Sequence, residues 1–178
     1  MLSNKSALYS AYISKGNDIL RMILQEGLDF IDWKRFVRND STVFIKPNFT
    51  FPCYKEGVTT RPEMLRCLLE IFKDRCDRVI LGESDGGNHS FTAEEAFEGH
   101  DMYEICKKTG VECKKTGVEL VSLSRLPSRF VESRIQSKRV KVQLPKMLLE
   151  DVDSFVSVPV LKVHVMTGVS LGLKNLWG

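Results

Sequence analysis

Apolar residues along the chain follow two rhythms. Short β-branched and aromatic runs at 42–45, 78–83, 118–123 and 155–158 have the length and composition of buried strands. Between them, apolar residues recur at helical spacing. Ile19, Met22 and Ile23 predict a first helix capped by Asn17 or Asp18. Phe30, Trp33 and Phe36 extend its stripe as far as Asn39-Asp40-Ser41. Leu65, Leu68, Leu69 and Phe72 predict a second helix, with Thr60-x-x-Glu63 as a capping box and Pro62 in its first turn. Thr92-x-x-Glu95 and Asp101-x-x-Glu104 open two shorter helices. A run at 7–13 predicts a further strand, followed by a turn around Gly16.

The alternation of strand and helix argues for an α/β fold with a mainly parallel sheet and flanking helices. Residues 129–144 break the rhythm. Val140, Val142 and Leu144 alternate with Lys141 and Gln143, the period of a half-buried strand. With a turn near Gln136-Ser137-Lys138, this segment predicts an antiparallel hairpin appended to the sheet. Residues from Gly168 onward predict a loop and then a helix.

The 178 residues match one domain, so residues 1–178 are expected to form a single α/β unit. At 43% hydrophobic and 28% charged, the composition is that of an ordinary globular protein and excludes disorder. No run approaches the roughly 18 apolar residues of a membrane helix, and no signal-peptide core follows Met1. Five cysteines without a Cys-x-x-Cys pair supply neither a zinc ribbon nor ligands for an iron–sulfur cluster. Reduced thiols in a cytoplasmic protein are expected. The heptad Cys-Lys-Lys-Thr-Gly-Val-Glu occurs twice in tandem, at 106–112 and 113–119. A neutral insertion accounts for it.

Candidate chemistry gathers just past the strands, where open α/β sheets bind ligands. The first group is Lys46-Pro47-Asn48 with Thr59 and Thr60. There a lysine, an amide and a helix N-terminus can receive an anion. The second is Glu83-Ser84-Asp85-Gly86-Gly87-Asn88-His89. Glu83, Asp85 and His89 offer an oxygen-rich set suited to a divalent metal such as magnesium or manganese. A tight turn explains the same composition. The third joins Lys162 and His164, which project to one side of an extended segment, to Gly168, Gly172, Lys174 and Asn175. Lys162, His164 and Lys174 are the candidate catalytic residues, with His164 as acid, base or ligand. The spacing Gly-x-x-x-Gly-x-Lys-Asn is not that of a nucleotide-binding P-loop.

Charge adds one feature. The net charge is +3, but residues 125–146 hold seven basic residues against one acidic, leaving 19 basic against 22 acidic elsewhere. The basic hairpin is either a solvated face or a contact surface for an acidic partner. Only Phe130 interleaves with the charges, so nucleic acid is not expected.

Val43-Phe-Ile-Lys-Pro-Asn48, Gly57-Val-Thr-Thr-Arg-Pro-Glu63, Gly82-Glu-Ser-Asp-Gly86, the segment 153–164 and Gly172-Leu-Lys-Asn-Leu-Trp-Gly178 occur in a characteristic order. In these motifs the sequence resembles the domain of unknown function 362 family, over roughly residues 40–178. Some members of that family are fused to ferredoxin-like iron–sulfur domains, which implies a redox context and a ferredoxin-like protein or domain as partner. Similar proteins continue beyond the last motif, so the domain is expected to be truncated at its C-terminus. Two functions follow as expectations. One is binding of an anionic small molecule or cofactor at the strand ends, metal-assisted or redox-linked, with the enzyme question open. The other is a non-catalytic, redox-associated module that contacts an acidic partner through residues 125–146.

Overall fold

The protein is described from a computed structural model, which describes residues 17–108 and 118–176. In chain order, α1 (Asn17–Phe30) precedes β1 (Thr42–Lys46), α2 (Pro62–Lys73) and β2 (Arg78–Glu83). The short helices α3 (Ala93–Gly99) and α4 (Met102–Lys108) precede β3 (Val118–Ser122). A hairpin of β4 (Ser128–Ile135) and β5 (Lys138–Pro145) runs into the short helix α5 (Lys146–Glu150) and β6 (Ser154–Ser157). The strands β7 (Lys162–His164) and β8 (Gly168–Ser170) are followed by α6 (Gly172–Asn175).

Four strands form the central sheet in the order β3-β2-β1-β6, and all three neighbouring pairs are parallel. Side-chain alternation sorts their residues onto two faces. Val43, Ile45, Val79 and Leu81 join Leu65, Leu68, Leu69 and Phe72 of α2, and Phe97 and Met102, in one buried cluster. Each fully buried side chain of this kind contributes about 1.5–3 kcal/mol. Phe44 and Ile80 are fully buried on the opposite face. Gly82 lies beside them: a Cβ there would fall 2.4 Å from the Phe44 ring, so the close approach requires glycine. Phe155 stacks at a tilt on Phe44, with ring centres 5.1 Å apart. Val142 and Leu144 of β5, Leu148 and Leu149 of α5, and Phe155 line a groove of about 650 Å³.

The α/β class, the parallel sheet and the hairpin agree with the sequence reading. The hairpin forms its own two-stranded ladder, turning at Gln136 with φ of 55°. Other local expectations fail for physical reasons. In α1 the buried residue is Leu20, and Leu24 and Leu28 pack on the core at the same i, i+4 spacing. Trp33 of the expected stripe is buried in the core, but Ile19, Met22, Phe30 and Phe36 are exposed, so most of that stripe faces outward. No capping box forms at Thr60. The N-cap of α2 is Arg61, and Glu63 pairs with its guanidinium at 3.0 Å. The box at Thr92 and Glu95 does form. Phe155 is 42% exposed because β6 is an edge strand. A strand, β8, intervenes after Gly168 before the predicted helix. The predicted strand at 7–13 and the centre of the heptad repeat lie outside the described residues. At the repeat's ends, Cys106-Lys107-Lys108 is helical and Val118-Glu119 is strand.

The loop after β1 is pinned against α3. Tyr54 donates its backbone N–H to Gly99 O at 3.1 Å. His100 is fully buried and stacks on Phe49 with ring centres 3.8 Å apart. Its Nδ1–H donates to Ala96 O at 2.7 Å, and its Nε2 has no hydrogen-bond partner among the described residues. Burial pushes the imidazole below the usual histidine range, opposed by the Ala96 carbonyl and Asp101. The unfolded chain therefore takes up this proton first as pH falls. The His100 contribution is intact above the unfolded pKa of about 6.5 and is lost progressively below it. Thermal unfolding followed from pH 7.5 to 5 should show Tm falling below that point. His100→Phe should flatten the fall, and an unchanged slope in that variant would contradict the assignment.

Candidate functional site

The strand order places a topological switch at β1. The strand that follows β1 in the sheet, β2, lies on one side of it, while β6 lies on the other. In open α/β sheets, the crevice beyond the carboxyl ends of two such strands is where ligands bind. Here those ends are Lys46 and Ser157, which are partners in register.

Beneath the crevice, the Lys46 ammonium contacts the Glu83 carboxylate, joining the ends of β1 and β2. Both side chains are about 95% buried, at 5% and 6% exposure. Glu83 is further satisfied by the backbone N–H of Ser84 at 3.0 Å and of Phe49 at 3.3 Å. A buried charge is tolerable only with such partners. Removing one partner of a buried pair leaves an uncompensated charge, which costs about 3–5 kcal/mol.

The segment leaving β1 places Lys46, Asn48 and Thr50 at alternate positions, and all three line one pocket of about 360 Å³. Thr60 closes the base of the loop. It accepts the Asn48 N–H at 2.7 Å, donates to Val158 O at 2.8 Å, and its own N–H reaches Asn48 O at 3.1 Å. Thr59 is occupied by the turn at Lys55. Thr59 and Thr60 therefore build the loop and do not line the pocket.

The short β7–β8 hairpin forms the facing wall. Lys162 and His164 turn toward the pocket, while Val163 between them is 90% exposed. The Lys162 ammonium donates to Val58 O at 2.6 Å and Thr50 Oγ1 at 2.8 Å. Thr50 donates to Asn48 Oδ1 at 2.6 Å, and Asn48 Nδ2 donates to Val58 O at 3.3 Å. Burial holds the Lys162 amine below the usual lysine range, and the nearby positive charge of Lys174 adds to that. His164 Nδ1 accepts the N–H groups of Met166 and Thr167 at 3.2 and 3.3 Å. The neutral ring then carries its proton on Nε2.

From α6, Lys174 and Asn175 complete the lining. Asn175 is buried, and its Nδ2 donates to Lys46 O at 3.3 Å and Ser157 Oγ at 3.0 Å. It ties α6 across the switch between β1 and β6. Gly168 has a φ of 72°, which the sharp β7–β8 turn requires. Neither Gly168 nor Gly172 lines the pocket.

The acidic segment past β2 does not gather three metal ligands. Glu83 is engaged by Lys46. Asp85 accepts the Ala93 N–H at 3.1 Å at the start of α3, and its other oxygen lies 3.6 Å from His89 Nδ1. The His89 side chain is 85% exposed and outside the pocket lining. Among the described residues, no group of three or more His, Cys, Asp or Glu is arranged to hold a metal. The Gly86–Asn88 stretch is a turn, with Asn88 at φ of 58°.

Of the residues singled out from sequence, the fold brings together Lys46, Asn48, Glu83, Asp85, Lys162, His164, Lys174 and Asn175. Ser84, Gly86 and Gly87 of the second group line it as well, and Phe49, Thr50 and Ser170 line it without having been singled out. Thr50 had a usable signal, because it continues the alternation from Lys46 through Asn48.

This is an α/β protein with a polar, lysine-lined pocket at the switch point of its sheet. Residues 43–178 match the family model described as domain of unknown function DUF362, and the chain belongs to that family. No curated protein and no solved structure matches the chain. Among the described residues, no helix is long and apolar enough to cross a membrane.

A double-mutant cycle tests the buried pair. Lys46→Met and Glu83→Leu should each lose about 3–5 kcal/mol in urea unfolding, while the double variant recovers most of the loss. Additive losses would show that the two charges do not depend on each other.

Proposed function

We propose that the protein binds a small organic anion in the crevice beyond β1 and β6, with the amino groups of Lys162 and Lys174 as the groups that hold it. One observation carries this reading. The two amino groups line the same pocket and, among the described residues, no carboxylate pairs with either. Lys46, by contrast, is already engaged by Glu83. The Nε2–H of His164 supplies a further donor, which suits an anion better than a metal. A pocket of about 360 Å³ fits a small metabolite. The reading requires no metal.

Thermal unfolding in phosphate, pyruvate and chloride at matched ionic strength tests it. An anion at about 100 times its Kd adds about 2.7 kcal/mol. Phosphate or pyruvate should raise Tm above the chloride control, and Lys162→Ala and Lys174→Ala should each abolish the rise. Equal shifts in the wild type and both variants would refute the site.

A second reading concerns the hairpin. Arg134 and Arg139 are direct cross-strand partners, and like charges in that position repel. No carboxylate pairs with Arg134, Lys138 or Arg139 among the described residues. An acidic protein, such as a ferredoxin-like one, would relieve that repulsion. Charge reversal at all three positions should abolish its salt-sensitive binding to immobilised protein, and unchanged binding would dismiss the hairpin.

A further inference from the structure

We propose that Lys162 is a covalent, imine-forming residue for a small carbonyl compound that also bears a carboxylate or phosphate, with Lys174 and His164 holding the anionic group. This deepens the anion-site reading and rests on it. The geometry around the amine carries the inference. A neutral amine has two N–H donors and one lone pair. Val58 O and Thr50 Oγ1, at 2.6 and 2.8 Å, are two acceptors for those two donors. Thr50 is oriented to accept because its own proton goes to Asn48 Oδ1, and Asn48 is fixed in turn by Val58 O. The lone pair is left for the pocket that Lys162 lines.

The contrast with Lys46 is instructive. That amine faces a carboxylate, whereas Lys162 faces only neutral oxygens. Burial and the neighbouring Lys174 charge both favour its free-base form. A lysine made nucleophilic by desolvation and an adjacent cation is the usual route to imine chemistry.

The step balances without an oxidant or reductant. The Lys162 lone pair attacks the carbonyl carbon and gives a carbinolamine. The C–O bond then breaks, the oxygen leaves as water with both amine hydrogens, and a C=N bond remains. Protonation of that nitrogen from solvent gives an iminium whose single N–H can return to Val58 O. The positive iminium withdraws electrons from the neighbouring carbon, which is how an imine activates an oxo acid.

The test uses glyoxylate as an anionic aldehyde and acetaldehyde as a neutral one, with cyanoborohydride to reduce any iminium. Peptide mass mapping of the intact wild-type chain then reads the labelled positions. Glyoxylate should modify Lys162 about tenfold or more above exposed Lys138 and Lys141, a modest share of what positioning can give. Lys174→Gln should reduce the glyoxylate preference over acetaldehyde at Lys162. Labelling spread evenly over the lysines, while phosphate still raises Tm through Lys174, would overturn the imine and leave the anion site standing. Even labelling without any anion-dependent Tm rise would overturn both. Selective Lys162 labelling that is equal for glyoxylate and acetaldehyde would overturn the proposed class of carbonyl compound.

Discussion

The buried pair of Lys46 and Glu83 is the contact on which the rest of the pocket depends. It joins the carboxyl ends of β1 and β2 where the two chains diverge into loops. Glu83 also holds the first amide of the acidic loop and the Phe49 amide of the loop after β1. One carboxylate thus sets the departure of two loops. The Lys46 carbonyl receives both the Val158 amide and the Asn175 side chain, so β6 and α6 are fixed from the same residue. A buried ion pair is weak evidence for stability in itself. Its value here is positional, because the loops after β1 and β2, the end of β6 and α6 are all tied to it.

That arrangement divides the lysines by task. Lys46 is a strand-end residue whose charge is consumed inside the protein. Lys162 and Lys174 stand across the pocket on later elements, close enough that the Lys174 charge disfavours that of Lys162. A cluster of like charges is costly to assemble without compensation. An anionic ligand removes the cost, and a weaker hold of Lys162 on its proton reduces it. The two proposals therefore share one electrostatic cause.

Much of this was legible in the sequence. Strand composition located all four sheet strands: the central β1 and β2, buried on both faces, read as continuous apolar runs, and the edge strands β3 and β6 as β-branched runs broken by polar residues. The motif order pointed to the family, and the strand ends marked segments whose lysines, Asn48 and His164 line one pocket. Pairing inside the site was not legible. Nothing in spacing distinguishes Glu83 as the partner of Lys46 from Glu83 as a metal ligand, because that depends on β1 and β2 being neighbours. Thr60 was misread for a similar reason: its hydroxyl faces Asn48 and Val158, 12 and 98 residues away, rather than its own helix. In α1, two apolar faces compete, and only packing against α2 selects Leu20 over Ile19 and Met22.

The central claim is that Lys46 organises the pocket while Lys162 and Lys174 face its occupant. A crystal structure of the protein grown with pyruvate tests it most directly. The account predicts density for the ligand between the Lys162 and Lys174 amines, with Lys46 still on Glu83. Pyruvate bound by Lys46 after it has left Glu83, or bound only on the β4–β5 hairpin, would contradict it.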